Sequence, residues 1–292
     1  MSKEIRVASR TSQLAQAMTN QVIGLLNNHE PQYTFVITGI KTNNSTDVNA
    51  HLGIKGIFTN ALDESVRSGA STFAVHSAKD LPSALSHDMV IAAYLKRDSV
   101  NDVLISKHGV SFENLPKNAV VGTASIRRSM LVTHFRPDIS MKPLRGNIDT
   151  RLSKKADYDA IILAGCGLQR LDLTNHITEV LNPHTFIPAA GQGTIAITCK
   201  KNDKPTITLL SQLDDQATRD CVEIERKICS NLNLSCHAPI GIYAYFKDNI
   251  IHLDIHLERN KHTYVDSFEM KKIETIDGFI ERVTSTIMQK TS

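Results

Sequence analysis

The run Ala74-Val75-His76-Ser77-Ala78-Lys79-Asp80-Leu81-Pro82 places a hydroxyl, an ammonium and a carboxylate side by side at the end of an apolar stretch. Phe73 to Val75 reads as a short interior strand, and Pro82 ends the element beyond it. Ser77, Lys79 and Asp80 therefore fall on a loop at a strand's carboxyl end, where open α/β sheets hold their ligands. Taken alone, the loop is better read as a surface loop with a solvated Lys-Asp pair. The arginines change the weighting: Arg10, Arg127, Arg128, Arg145, Arg151 and Arg170 all fall at or just past expected strand ends. Arginine suits bidentate carboxylate recognition, so several on such loops imply a ligand carrying many carboxylates.

The elements that must position these side chains recur as strand, Ser/Thr turn and helix. Ile5 to Ser9 is a strand, Ser9-Arg10-Thr11-Ser12 a turn, and Leu14, Met18, Val22 and Leu25 keep helical spacing through Asn27. The free N–H groups of that helix start, with Arg10, would hold an anion. The device returns with Ala119 to Gly122, Thr123-Ala124-Ser125, and a helix opened by Ile126-Arg127-Arg128. Two arginines on a first helical turn oppose the positive end of the helix dipole, a conflict that a bound anion would remove. Asp159 to Ala164 is a buried strand that ends in Gly165-Cys166-Gly167. Strands alternating with helices imply two parallel-sheet α/β layers. Arg97 to Asp102 reads as a polar crossing between domains, and Ile187 to Gly193 as the crossing back, which makes a two-hinge arrangement. From about Asp215 a helix, three strands and a final helix near Ile276 to Met288 suggest a small α+β domain. The expected division is 1–96 with 194–212, then 100–189, then 215–292.

Composition narrows the function classes. The 292 residues are long for one core. Lys plus Arg, 33, against Asp plus Glu, 30, leaves +3, too balanced for a general nucleic-acid or membrane surface. No apolar run approaches the roughly 20 residues that span a bilayer, and the N-terminus enters a strand without a signal-peptide core, so a cytoplasmic location is expected. Cys166, Cys199, Cys221, Cys229 and Cys236 show no Cys-x-x-Cys spacing, which points to neither a disulfide framework nor a metal site.

Ordered along the chain, Val7-Ala8-Ser9-Arg10-Thr11-Ser12, His76 to Pro82, Val121 to Arg128, Leu144-Arg145-Gly146-Asn147, Pro188 to Gly193, and Cys236 before Pro239-Ile240-Gly241 resemble the porphobilinogen deaminase (hydroxymethylbilane synthase) family. The resemblance implies two hinged α/β domains like those of solute-binding proteins and a small C-terminal α+β domain. It implies a transferase that joins four porphobilinogen molecules head to tail, with loss of ammonia, into hydroxymethylbilane for tetrapyrrole biosynthesis. A dipyrromethane cofactor would be attached by a thioether to Cys236, and Asp80 would be the catalytic carboxylate. Carried over position by position, Ser77, Lys79, Asp80, Thr123, Ser125, Arg127, Arg128, Arg145 and Gly146 would hold the cofactor. Arg10, Ser12, Lys55, Arg145, Arg151, Arg170 and Gln192 would hold substrate. His51, Asn60 and Ser235 depart from the family's usual lysines and glycine. A monomer that hands its product to a downstream synthase is implied as well.

Three rival readings use the same residues. A non-catalytic hinged binding protein for a polycarboxylate would need the arginines but neither Asp80 nor Cys236, and would normally be exported. A nucleic-acid binder would direct the arginines at phosphates, yet the chain has no Trp and only 5% aromatics. A zinc enzyme built on Cys229, Cys236 and His237 lacks a fourth ligand at suitable spacing.

Overall fold

A computed structural model describes residues 3–41, 57–235, 238–260 and 262–291. The first elements are β1 (Lys3–Arg10), α1 (Gln13–His29), β2 (Tyr33–Ile40), α2 (Ile57–Arg67), β3 (Phe73–Ser77) and β4 (Met89–Tyr94). Next come β5 (Asp102–Ser106), β6 (Val120–Gly122), α3 (Ile126–Phe135), β7 (Ser140–Lys142), α4 (Ile148–Ser153), β8 (Ala160–Ala164), α5 (Gly165–Arg170) and β9 (Glu179–Val180). The chain ends with β10 (Ile195–Lys200), α6 (Lys204–Ser211), α7 (Gln216–Asn231), β11 (Ile240–Lys247), β12 (Ile250–Arg259), β13 (His262–Glu269) and α8 (Ile276–Thr291).

These elements form two compact units, one of Met1–Asp98 with Gly193–Asp220, the other of Ser99–Gln192 with Cys221–Ser292. The first holds a five-stranded sheet in the order β2-β1-β3-β10-β4. β1 pairs in parallel with β2 and β3, while β10 runs antiparallel to both β3 and β4. Alternation along β1 sends Ile5 and Val7 to the face covered by α1 and α6, and the small Ala8 to the face covered by Leu62 and Val66 of α2. Ser12 caps α1 by accepting from Ala15 N, and Asp203 caps α6 by accepting from Thr206 N.

The second unit repeats the plan in a sheet ordered β7-β6-β8-β5-β9. β6 is parallel to β7 and β8, and β5 is antiparallel to β8 and β9. Each layer therefore carries a reversed strand where the sequence suggested all-parallel sheets. The reversed strand is in each case the one that comes directly after a passage between units: β5 after Ser99 and β10 after Gly193. It starts at the edge where its neighbours end, as Asp102 opposite Ala164 and Ile195 opposite Ser77 show. The stretch read as a polar crossing up to Asp102 thus ends in a strand, with Asp102 wholly buried as its first residue.

The same unit contains a three-stranded antiparallel sheet, β11-β12-β13. One face, with Ile251, Leu253, Ile255 and Leu257 of β12, packs on α7 and α8. The other bears His252, Asp254 and His256. His134 of α3 meets the His256 ring edge-on at 4.6 Å, and Asp254 faces His184 Nδ1 at 2.7 Å. The mixed α/β class and the small C-terminal α+β element match the sequence reading. Among the described residues no helix is long and apolar enough to cross a membrane.

Candidate functional site

In the first unit the neighbouring parallel strands β1 and β3 end on one sheet edge, so the loops bearing Arg10 to Ser12 and Ser77 to Asp80 leave it side by side. Ser77 ends β3, and Ala78–Asp80 form one turn of 3-10 helix. The turn is fixed from within: Ala78 N donates to Thr194 O at 2.9 Å, Leu81 N donates to Ala78 O at 3.2 Å, and both side chains are buried. Between these anchors Lys79 is half-buried and the Asp80 carboxylate is exposed. A carboxylate held by rigid backbone and open to solvent suits an incoming cation or N–H donor. Arg10 is half-buried at the end of β1, beside a turn whose Ser9 Oγ accepts from Thr19 Oγ1 at 2.8 Å and donates to Ala15 O at 3.3 Å.

Behind the turn lies a buried pair that sequence reasoning did not single out. His76 Nε2 is 3.0 Å from Thr198 Oγ1 and 3.9 Å from Asp63 Oδ1. Burial pushes the His76 pKa down to about 4. Burial likewise pushes Asp63 up to about 6, against the pull of Arg67 and with help from Asp88.

In the second unit, β6, β7 and β8 end on the edge where β5 begins, which brings the Thr123–Ser125 turn, the Arg145–Gly146 turn, Gly165 and Asp102 to one side of the sheet. Thr123 Oγ1 accepts from Ser125 N at 3.2 Å, and Ser125 Oγ caps α3 by accepting from Arg128 N at 3.4 Å. The two arginines after this cap turn inward and are 4% and 5% exposed. Arg128 donates to Asp102 Oδ1 from Nε at 3.1 Å and Nη2 at 2.8 Å, and to Ile162 O from Nη1 at 3.1 Å. Arg127 Nη2 stands 2.7 Å from Asp102 Oδ2, and its Nη1 donates to Ile187 O at 2.9 Å. The anion that two arginines on a first turn require is supplied in part by the protein. Burial works against ionisation of Asp102, but the adjacent Arg127 and Arg128 outweigh it and hold its carboxyl well below the usual carboxylate range.

Two buried guanidinium groups against one carboxylate leave one positive charge in excess, and Arg127 Nε meets no acceptor among the described residues. That donor set fits a carboxylate-bearing group such as dipyrromethane. The remaining arginines are more open. Arg145 is exposed, Arg170 is half-buried at the end of α5, and half-buried Arg151 braces the turn by donating from Nε to Gly146 O at 2.7 Å. Gly146 adopts φ +116°, and a Cβ there would lie 2.8 Å from the Thr150 side chain, so the position favours glycine. Gln192 is wholly buried and gives its amide nitrogen to Val100 O at 2.7 Å and Asp102 Oδ1 at 2.9 Å. Lys55 and Cys236 lie outside the described residues, as do His51 and His237. The other four cysteines are buried.

Ser77, Lys79, Asp80, Arg10 and Ser12 thus lie in the first unit, and Thr123, Ser125, Arg127, Arg128, Arg145, Gly146, Arg151 and Arg170 in the second. Asp102 is the functional candidate that sequence reasoning missed. The sequence signal was the need of the adjacent arginines for an anion, which does not say that the chain itself supplies one.

Residues 5–208 match the family model described as porphobilinogen deaminase, dipyromethane cofactor binding domain. The chain is 40% identical over 255 residues to the probable porphobilinogen deaminase of Methanopyrus kandleri, covering 85% of each protein. It is 41% identical over 249 residues to the porphobilinogen deaminase of Brevibacillus brevis, covering 84% of this chain and 81% of that one. Against the porphobilinogen deaminase of Fusobacterium nucleatum the identity is 38% over 269 residues, covering 89% of this chain and 90% of the other.

Proposed function

Because the chain belongs to the porphobilinogen deaminase family, we propose that it makes hydroxymethylbilane from four porphobilinogen molecules, and that Asp80 and the arginine loops carry the reaction. The enzyme is a transferase of tetrapyrrole biosynthesis with a dipyrromethane cofactor. When bound, the dipyrromethane supplies the nucleophilic pyrrole carbon on which the first addition takes place.

The observation that supports these residue roles is the division of charge: an exposed carboxylate on a rigid turn in one unit, and a buried excess of guanidinium charge in the other. Porphobilinogen bears acetate and propionate groups on a pyrrole with an N–H. Arg10, Arg127, Arg128, Arg145, Arg151 and Arg170 grip carboxylates, with the hydroxyls and N–H groups of Ser12, Thr123 and Ser125 beside them. Lys55, Ser77 and Lys79 add donors for the same groups. Asp80 accepts from the pyrrole N–H and stabilises the positive charge that spreads onto the ring as the aminomethyl C–N bond breaks. Both electrons of that bond go with the nitrogen, which departs from its ammonium form as neutral ammonia. The methylene carbon then bonds to the free α-carbon of the preceding pyrrole, and that carbon loses a proton. Each addition therefore releases one ammonia with protons in balance.

Cys236 is the proposed thioether attachment, and Gly146 allows the close backbone approach at the Arg145 turn. The Gln192 side chain is committed to Val100 and Asp102, so it serves the substrate site through position. Three domains, 1–96 with 194–212, 100–189 and 215–292, form part of the same reading, as do a cytoplasmic location, a monomeric state, no nucleic-acid partner and hand-off of product to a downstream synthase. The test is incubation of the purified chain with porphobilinogen while ammonia and linear tetrapyrrole are measured together. Release of one ammonia per porphobilinogen consumed supports the reading; tight binding without ammonia release would leave a polycarboxylate-binding protein instead.

A further inference from the structure

The second unit begins at Ser99 and its first segment ends at Gln192, so both ends of that segment are places where the chain passes between units. Both ends converge on one side chain. Gln192 Nε2 donates at once to Val100 O and to Asp102 Oδ1, which ties the incoming and outgoing chain together. Further contacts hold the outgoing stretch to the body of its unit: Arg127 Nη1 donates to Ile187 O, Ile242 N to Pro188 O at 2.9 Å, and Gly191 N to Glu225 Oε2 at 2.6 Å.

Asp102 Oδ1 accepts from Arg128 Nε, Arg128 Nη2 and Gln192 Nε2, more donors than an oxygen has lone pairs. An oxygen so crowded divides its charge among competing donors. A ligand carboxylate that drew the guanidinium groups towards itself would leave Asp102 Oδ1 to bind the remaining donor, Gln192, more strongly, and its departure would let the arginines compete for that oxygen again.

We propose that Asp102 is a positioning residue that couples occupancy of Arg127 and Arg128 by ligand carboxylates to the backbone at both passages between units, through Gln192. The inference rests on the reading that those arginines take ligand carboxylates. Its consequence concerns repetition: a reaction of several successive additions needs the site to re-form after each, and this linkage makes the passage segments respond to what the arginines hold.

The test uses the full chain and the variants Gln192→Met and Asp102→Asn, with intact-mass measurement after limited addition of porphobilinogen. Wild-type protein that carries no dipyrromethane mass, even after incubation with substrate, would sink the functional reading itself and is scored first. Given loaded wild type, Gln192→Met should load to the same extent, because Asp102 keeps both arginines. Its kcat should fall about tenfold, and it should accumulate enzyme masses one, two or three pyrrole units above the loaded mass. Asp102→Asn, in which the arginines lose their counter-charge, should fall short in loading as well. A Gln192→Met chain that elongates with the wild-type rate and mass distribution overturns the coupling. One that fails to fold or to load overturns it too, since the inference assigns that side chain to the succession of additions and not to assembly.

Discussion

Asp63 and His76 face each other at 3.9 Å inside the first unit, one residue behind the Ser77–Asp80 turn, and their protonation equilibria are displaced in opposite directions. Asp63 titrates at about 6, above its ordinary carboxylate value, so its contribution to stability is full below that ordinary value and is lost as pH rises through 6. His76 titrates at about 4, below its ordinary imidazole value, so its contribution is full above that value and is lost as pH falls towards 4. The two slopes oppose each other between pH 4 and 6. Relative to wild type, Asp63→Asn should lose thermal stability as pH is lowered through this window, and His76→Gln should gain it. Melting temperatures of the three proteins across pH 4 to 7 check the signs; parallel curves would mean the pair does not titrate as described.

Asp80→Asn should leave melting temperature and cofactor mass at wild-type values, because the side chain is exposed and the turn is held by the backbone of Ala78 and Leu81. Turnover of porphobilinogen should drop by on the order of 10²–10⁴-fold, the range for loss of a positioned acid-base group. Wild-type turnover in this variant would remove Asp80 from the chemistry.

Asp102→Ala leaves two buried guanidinium groups facing each other without their carboxylate. Removal of one partner from a buried ion pair costs about 3–5 kcal/mol. The denaturation midpoint should fall accordingly with little change in slope. An unaltered midpoint would show that Asp102 is not the counter-charge.

Much of the fold is legible in the amino-acid sequence, and so are the loops and residue types from which the candidate site is proposed. The strand-turn-helix device marks both sheets because a hydroxyl cap and a 3.6-residue apolar period are local signals, and Ser12 and Ser125 do cap α1 and α3. The reversed strands are not legible, since direction is set by where the chain re-enters a sheet and not by its composition. Asp102 escapes notice for the same reason. In the sequence it closes a polar stretch, and only pairing of β5 with β8 carries it beneath Arg127 and Arg128. Asp63 lies on α2 and meets His76 only through packing of that helix on β3. The arginines stand out by type, but their exposure does not: Arg127 and Arg128 are buried where Arg145 is open.

Gly241 approaches the outgoing passage so closely that a Cβ there would lie 2.5 Å from Ile187 O, a backbone atom. Gly241→Ala should therefore destabilise by about 1–3 kcal/mol, the usual range for overpacking. It should also slow elongation, since Ile187 O is the acceptor for Arg127 Nη1. Denaturation and turnover measured together distinguish this from a purely local strain, which would change stability alone.

The most direct test of the proposed activity is the intact mass of the purified, denatured protein, followed by peptide mapping. An excess mass equal to two linked pyrrole units is expected on the peptide that contains Cys236, either as isolated or after incubation with porphobilinogen. A chain that stays at its sequence mass under both conditions would contradict the assignment.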